Sequence, residues 1–518
     1  MATEMSDLSA QGKKFSEKTG EDYRDDAGAA SDDGEMDVLE FTPLEKRTLL
    51  KKLNWRVVGL ISFLYLLSFL DRSNIGNAKI AGLMTDLKLN DEQYGWLLTA
   101  FYITYITFEW MALLFKLVRP HVYLTIVVLC WGIIASLQSL TTNFTQILLL
   151  RTSLGIAEAA FCGVPFYLSF FFRREELASR IGLFIAAAPL ATSCASSIAW
   201  VITSLASISP IAPWRLLFLV EGFPSVIVAW YCFHNVADSP GTAWFLTPKE
   251  REYAVLRLQE PGSTLGEESH DEKRSNNRKS KSGINFSEIA ETLRDPKSYL
   301  TAAMYFSCNV AFSSMPVFLP TIIQQMGHTQ VMAQALSAPP YLVAFVVVLS
   351  VSYISDKRGA RSPYIVFFAL MASAGYALIV LAGVLGLPNW IRYFGLYPAC
   401  IGFFTCITLL LAWTLNNQES ESKKGTGIAI LQFLGQCGPL VGTRLFPATD
   451  GPLYVRGMAT CSAFMAGVAC LALSLRVLLK RENERRINQA MAQDIALGED
   501  VEEPLVGPDR GGPFMNIL

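Results

Sequence analysis

Long apolar runs, each broken by a short polar turn, dominate this chain from residue 54 to residue 478. Each run is about as long as the ~20 residues a helix needs to cross a bilayer. Twelve are predicted, running approximately Asn54–Ala81, Gln93–Phe115, Val122–Leu140, Thr145–Phe172, Ile181–Ser207, Trp214–His234, Tyr299–Met326, Ala333–Ser355, Tyr364–Leu385, Tyr393–Leu415, Gly425–Phe446 and Arg456–Leu478. A polar stretch separates the sixth from the seventh. Its centre, Gly262 to Ser282, is low in complexity and reads as disordered. Ahead of it, Thr247-Pro-Lys-Glu250 has the form of a capping box with Pro at the first helical position, and predicts a short surface helix through Leu258. The pattern is all-α, six spans, a loop and six spans, with both ends on one side. The expected division is a tail over 1–49, a first half over 50–236, a loop over 237–297, a second half over 298–478 and a tail over 479–518.

Composition agrees with this pattern. Only 17% of residues are charged, well below the roughly 25% usual in soluble domains. The charges crowd into the first fifty residues, the central loop and the C-terminal tail. Residues 1–40 are acidic and polar, so the first span is expected to act as its own targeting signal. Orientation follows from the basic residues. With cytoplasmic termini, the inner loops hold Lys116, Arg119, Arg173, Arg174, Arg180, Lys357, Arg358, Arg361, Lys423, Lys424, Lys480 and Arg481. The outer side holds Lys79, Lys88, Arg215, Arg392 and Arg456. Asn143-Phe-Thr145 is a glycosylation sequon in a loop so short that it is expected to stay unmodified.

The ten cysteines lack the spacing of a metal site or a disulfide framework and read as small packing residues. No HExxH, Gly-x-Ser-x-Gly or Walker-type loop is present. Hydrolysis and ATP-driven transport have no support, and no cofactor, metal or nucleic-acid partner is expected.

The informative charges are the few inside the spans, since such residues are costly and usually face a cavity or an ion path. Asp71 and Arg72 stand side by side in the first span and read as an ion pair. Arg151 and Glu158 share a face of the fourth, about two turns or ~10 Å apart. Asp71 lies ~25 Å up from the inner end of its span, and Glu158 lies near mid-membrane. Two acids and two arginines at these depths form a charge-balanced cluster. An anion could engage an arginine while an acid takes up a proton, or the set could be a static packing network. Tyr102 and Tyr105 either line the cavity or pack. Asn309 and Ser313, and Asn416 and Asn417, could donate to a solute or bond a neighbouring helix. Glu109 and Glu221 also lie in apolar surroundings, and Glu221, near a helix end, reads as packing or gating.

Twelve spans split by a long loop resemble the major facilitator superfamily. The stretches Phe69-Leu-Asp-Arg-Ser-Asn-Ile-Gly-Asn-Ala78, Arg151-x-x-x-Gly-x-x-Glu158, Trp214-Arg-x-x-Phe-x-x-Glu-Gly222, Asp238-Ser-Pro, Trp413-x-x-Asn-Asn417 and Pro452-x-Tyr454 resemble its anion:cation symporter family, in the fungal allantoate-permease branch. The resemblance implies the major facilitator fold, two six-helix bundles rocking around a midplane site. It also implies a monomer in a fungal plasma membrane that moves a small carboxylate-bearing solute (a vitamin, ureide or small peptide) with protons. On this resemblance Arg72 holds the carboxylate, with Tyr105, Asn309 and Asn417 around the solute. Asp71 and Glu158 carry protons, and Arg151 tunes Glu158. Ser355-Asp-Lys-Arg-Gly-Ala-Arg361 resembles the superfamily gating loop, with Asp356, Arg358 and Arg361 as its charged members. There are two departures. The loop Phe115 to His121 lacks the matching Asp, and Glu109-Trp-Met-Ala112 lacks the Pro expected there. Export of a secondary metabolite, or nutrient sensing without transport, are the rival functions.

Overall fold

A computed structural model of the protein describes residues 41–206, 208–259, 291–417, 421–497 and 517. Those residues form eleven helices long and apolar enough to cross a membrane and one shorter apolar helix. They are α1 Pro43–Asp86, α2 Asp91–Phe115, α3 Pro120–Leu140, α4 Phe144–Ser169, α5 Ser179–Ser204, α6 Pro213–Asn235, α7 Pro296–Gln325, α8 Gln330–Arg358, α9 Ser362–Val384, α10 Asn389–Asn416, α11 Thr426–Gly442 and α12 Val455–Gln489. This is the expected all-α membrane architecture. The ends differ from the expected ones by a turn or less for most spans. Two differ more: α1 opens at Pro43, ahead of the boundary at 49, and the last helix runs unbroken to Leu497. The low-complexity part of the central loop, 262–282, lies outside the described residues.

Local chemistry sets the helix ends. Asn143 caps α4 by accepting from the Gln146 amide at 3.0 Å, so the sequon's amide is engaged within the chain. Gly359, at φ 60°, ends α8 in the left-handed conformation that glycine tolerates. The Thr247–Glu250 capping box forms, with bonds of 2.9 and 3.4 Å. It starts the short helix Pro248–Gln259, which Lys52 tethers to α1 through Glu250 at 2.7 Å.

Glycines set how closely the first six helices pack. A Cβ on Gly155 of α4 would meet Thr104 Oγ1 at 2.3 Å and the Phe101 carbonyl at 2.4 Å, so α2 and α4 run in backbone contact. Likewise Gly132 of α3 lies on Ser225, and Gly222 of α6 on the Ser136 amide. Small residues of this kind let membrane helices approach without a hydrophobic driving force. Both α2 and α4 tighten into 3₁₀ turns over Glu109–Lys116 and Ala160–Gly163, where Gly163 seats against Phe115 and Ala112. The expected proline in α2 is therefore not what shapes this segment.

The two sets of six meet along two seams. One joins α5 to α8 through Ser193 to the Ala338 carbonyl at 3.1 Å and through a short bond from Thr203 to Gln334. The other closes the side of the molecule opposite the chain ends. There Thr99 of α2 meets Thr443, just past the end of α11, at 3.3 Å, Arg444 donates to Thr99 at 3.2 Å, and Gln330 reaches the Ile80 carbonyl. At its centre Gly76 of α1 sits on Val317 of α7, where a Cβ would fall 2.3 Å from the carbonyl oxygen. A larger side chain at 76 therefore opposes this closed arrangement without entering either bundle's core. In Gly76→Leu, a cysteine placed at Thr99 should label several-fold faster from that side. Unchanged labelling of a well-folded variant would contradict the assignment of Gly76 to the closure.

Candidate functional site

Adjacent residues on an α-helix point about 100° apart, so Asp71 and Arg72 cannot face one another. The structure corrects the expected pairing accordingly. Arg72 turns toward α4 and binds Glu158, with Nη2 at 2.8 Å and Nε at 3.2 Å from the same carboxylate oxygen. Ser68, one turn earlier on the same face of α1, donates to that oxygen at 3.2 Å. The guanidinium lies over the rings of Tyr105, Phe101 and Phe69, at 4.7, 5.3 and 5.8 Å from their centroids. Such cation–π contacts contribute about 0.5–2 kcal/mol each. They stand here because Gly155 brings α2 against α4. The Tyr105 hydroxyl meets the Cys162 sulfur at 2.8 Å, which fixes the ring under the guanidinium.

Arg72 keeps 12% of its side chain exposed and Glu158 none, so a solute entering the site meets the cation first. The second Glu158 oxygen, Oε1, has no hydrogen-bond partner. This asymmetry gives the pair its chemical capacity. Arg72 is the half of the pair that an anion can reach, while Glu158 keeps the Ser68 donor beside it.

Asp71 turns the other way, into the interior of the first bundle. It is buried and its Oδ2 has no partner. Arg151 approaches from α4, also buried, with Nε and Nη2 unpartnered and its guanidinium 5.5 Å from the Phe218 ring. Arg151 acts electrostatically on both Asp71 and Glu158 and donates to neither through those two nitrogens. Glu221, read from the sequence as a packing or gating residue near a helix end, is placed here beside the charged set. It lies in mid-helix on α6, is 2% exposed, and leaves both carboxylate oxygens without a partner beside Asp71 and Arg151. A signal was present: Gly222 follows it, and a glycine next to an acid inside a span marks a tightly packed interior face.

The remaining candidates are more dispersed. Asn309 donates to the Gly435 carbonyl at 3.1 Å, bracing α7 where α11 breaks between Gly435 and Gly438. Asn417 ends α10 and exchanges hydrogen bonds with the Ile517 backbone at 2.7 and 3.1 Å, and Trp413 donates to the same carbonyl. Glu109 stands at the 3₁₀ turn of α2, near Tyr105 and Cys162 of the first half and Tyr305 and Cys437 of the second. In the Ser355–Arg361 loop Arg361 binds Asp356 at 2.5 Å and packs on Ser355, while Arg358 turns out to the Tyr364 hydroxyl at 3.0 Å. After α2, where the matching Asp is lacking, His121 instead binds Asp238 at the end of α6, at 2.8 Å.

Twelve apolar helices in two sets of six, a charged site inside the first set and a closure of the two sets at one end define a membrane transporter. A Major Facilitator Superfamily profile matches residues 61–443. The chain belongs to this superfamily, in its fungal branch, and is a multi-pass transporter rather than an enzyme. It is 31% identical to the high-affinity nicotinic acid transporter of Saccharomyces cerevisiae over 86% of this chain and 80% of that one. It is 28% identical to the major facilitator-type transporter hxnP of Emericella nidulans over 93% and 94%. In fold it is similar to the proton:xylose symporter XylE, with a TM-score of 0.61, 13% identity and coverage of 83% and 96%. It is also similar to an inward-facing bacterial homologue of the lysosomal transporter Spinster, with a TM-score of 0.59, 16% identity and coverage of 85% and 99%.

Removing one member of a buried ion pair leaves the other uncompensated, at a cost of about 3–5 kcal/mol. Glu158→Ala should therefore lower thermal stability in detergent sharply, and the double variant Arg72→Gln/Glu158→Gln should recover much of it. Equal loss in single and double variants would show that the pair is not coupled.

Proposed function

We propose that the chain takes up a small carboxylate-bearing solute together with protons, by alternating access. The observation that carries this reading is the Arg72–Glu158 pair, a reachable cation in an aromatic cage whose buried acid partner can be displaced. The solute carboxylate binds Arg72, Glu158 is released, and a proton neutralises it. The loaded site is then close to neutral in charge, which lowers the cost of moving it between the two faces. Without solute, the ionic pair itself keeps Arg72 neutralised.

Nicotinic acid, the solute named for the yeast relative, is a small monocarboxylate on a flat ring. That chemistry matches a guanidinium flanked by Tyr105, Phe101 and Phe69. Phe312, which packs edge-on against Phe69 at 5.1 Å, supplies a ring from the second half. Asn309 and Asn417 line the solute's route only if they leave their present backbone partners, so their part in binding is secondary to that of Arg72. Residues 50–236 and 298–478 are the two rocking bodies, with the α5–α8 and α2–α11 seams as their bearing surfaces. Asp356 and Arg361, held together beside α5, latch the side that carries the chain ends. That side is cytoplasmic in this reading, the membrane is the fungal plasma membrane, and one chain suffices because both bodies belong to it.

A competition screen in a strain deleted for the transporter, covering nicotinate, pantothenate, biotin, allantoate and dipeptides, should reveal at least one carboxylate whose uptake falls as external pH rises. Arg72→Ala should abolish that uptake while the protein still reaches the membrane. Glu158→Gln should leave solute exchange but remove its dependence on the proton gradient. Wild-type uptake by Arg72→Ala, or uptake by the wild type that ignores the proton gradient, would overturn the reading.

A further inference from the structure

Five ionisable groups act on one another inside the first bundle: Asp71 and Arg72 of α1, Arg151 and Glu158 of α4, and Glu221 of α6. The four seen in the sequence balance. Glu221 adds a third carboxylate against two guanidiniums, so the set carries one negative charge too many if all are ionised. An uncompensated charge in a medium without water costs several kcal/mol, and a group so placed neutralises instead.

Which acids hold the proton follows from the partners. Glu158 receives three hydrogen bonds, two from Arg72 and one from Ser68. Asp71 receives no donor at Oδ2, and Arg151 is the opposing charge it shares with Glu221. Glu221 has no donor at either oxygen, and the Ser225 hydroxyl one turn on is also unpartnered. The helices packed on it bring Asp71 from α1, Arg151 from α4 and the Cys194 thiol from α5. The α3 face against it carries Gly132 and Ser136, which hold no charge. Among the described residues Arg151 is thus the one cation acting on both Asp71 and Glu221, and it must serve two acids.

We propose that Asp71 and Glu221 form a proton-binding site of their own, in which the two carboxyls share one resident proton beside Arg151. The site lies behind the Arg72–Glu158 pair and is closed by the Gly132–Ser225 and Gly222–Ser136 contacts. It rests on the proposed symport only in one respect, that its proton stays while the one on Glu158 moves. With one proton on the Asp71–Glu221 pair the empty site sums to zero. A monocarboxylate arriving with one proton leaves it at zero, so one proton per monocarboxylate is the ratio the charges require.

The test is infrared spectroscopy of the purified full-length protein in nanodiscs at neutral pH without solute, read in the carbonyl-stretch region of protonated carboxyl groups. The wild type should show such a band. Glu221→Gln should lose it, because Arg151 is then free to compensate an ionised Asp71. Asp71→Asn should lose it too, because Arg151 is then free to compensate an ionised Glu221; this second variant keeps the test valid if the first does not fold. Absence of the band from the wild type, its persistence in both variants, or its loss in Asp71→Asn alone would overturn the assignment. Since no solute is present, a failure of uptake bears on the symport reading and a missing band bears on this one.

Discussion

A guanidinium and a carboxylate held at 2.8 Å inside a membrane protein constrain everything around them. Neither can be left alone there. Separating them costs more than most single contacts in the fold contribute, so any event that parts them must supply a replacement for each. In the proposed symport a solute carboxylate replaces Glu158 on Arg72, and a proton replaces Arg72 on Glu158. Coupling between solute and proton is then a matter of charge compensation, without a wire between distant sites. The packing serves the same end. Gly155 brings α2 onto α4 so that Tyr105 and Phe101 floor the guanidinium, and Gly222 and Gly132 draw α6 inward so that Glu221 reaches the set.

The closure at the side opposite the chain ends belongs to the same account. It is built from small groups, Gly76 on Val317 and Thr99 on Thr443, with Arg444 near Trp96 and Lys79 over Phe318 as charged members. Contacts of this size separate cheaply, as a surface that must open each cycle requires. The α5–α8 seam is larger and includes the buried Thr203–Gln334 bond, which suits a pivot better than a gate.

Much of this was legible in the sequence because the bilayer reduces folding to length and polarity. The spans came out nearly in place, and the capping box at Thr247 stood where its spacing put it. The charged residues of α1 and α4 were recognisable because lipid makes such residues rare. Their partners were not. Asp71 and Arg72 looked like a pair because they are neighbours in the chain, and helix geometry sends neighbours apart. Glu221 looked like a packing residue because its depth could be guessed but its facing could not; facing depends on which glycines let α3 and α6 meet. Asn417 looked free to bind a solute because its partner, Ile517, is 100 residues away.

The central claim is that a carboxylate and a proton enter as one charge-compensated step at Arg72 and Glu158. Calorimetry of a transported carboxylate binding to the purified protein, in buffers of differing ionisation enthalpy, reads the protons taken up on binding. The account predicts one proton per carboxylate in the wild type and none in Glu158→Gln. Binding without proton uptake in the wild type, or equal uptake in both proteins, would contradict it.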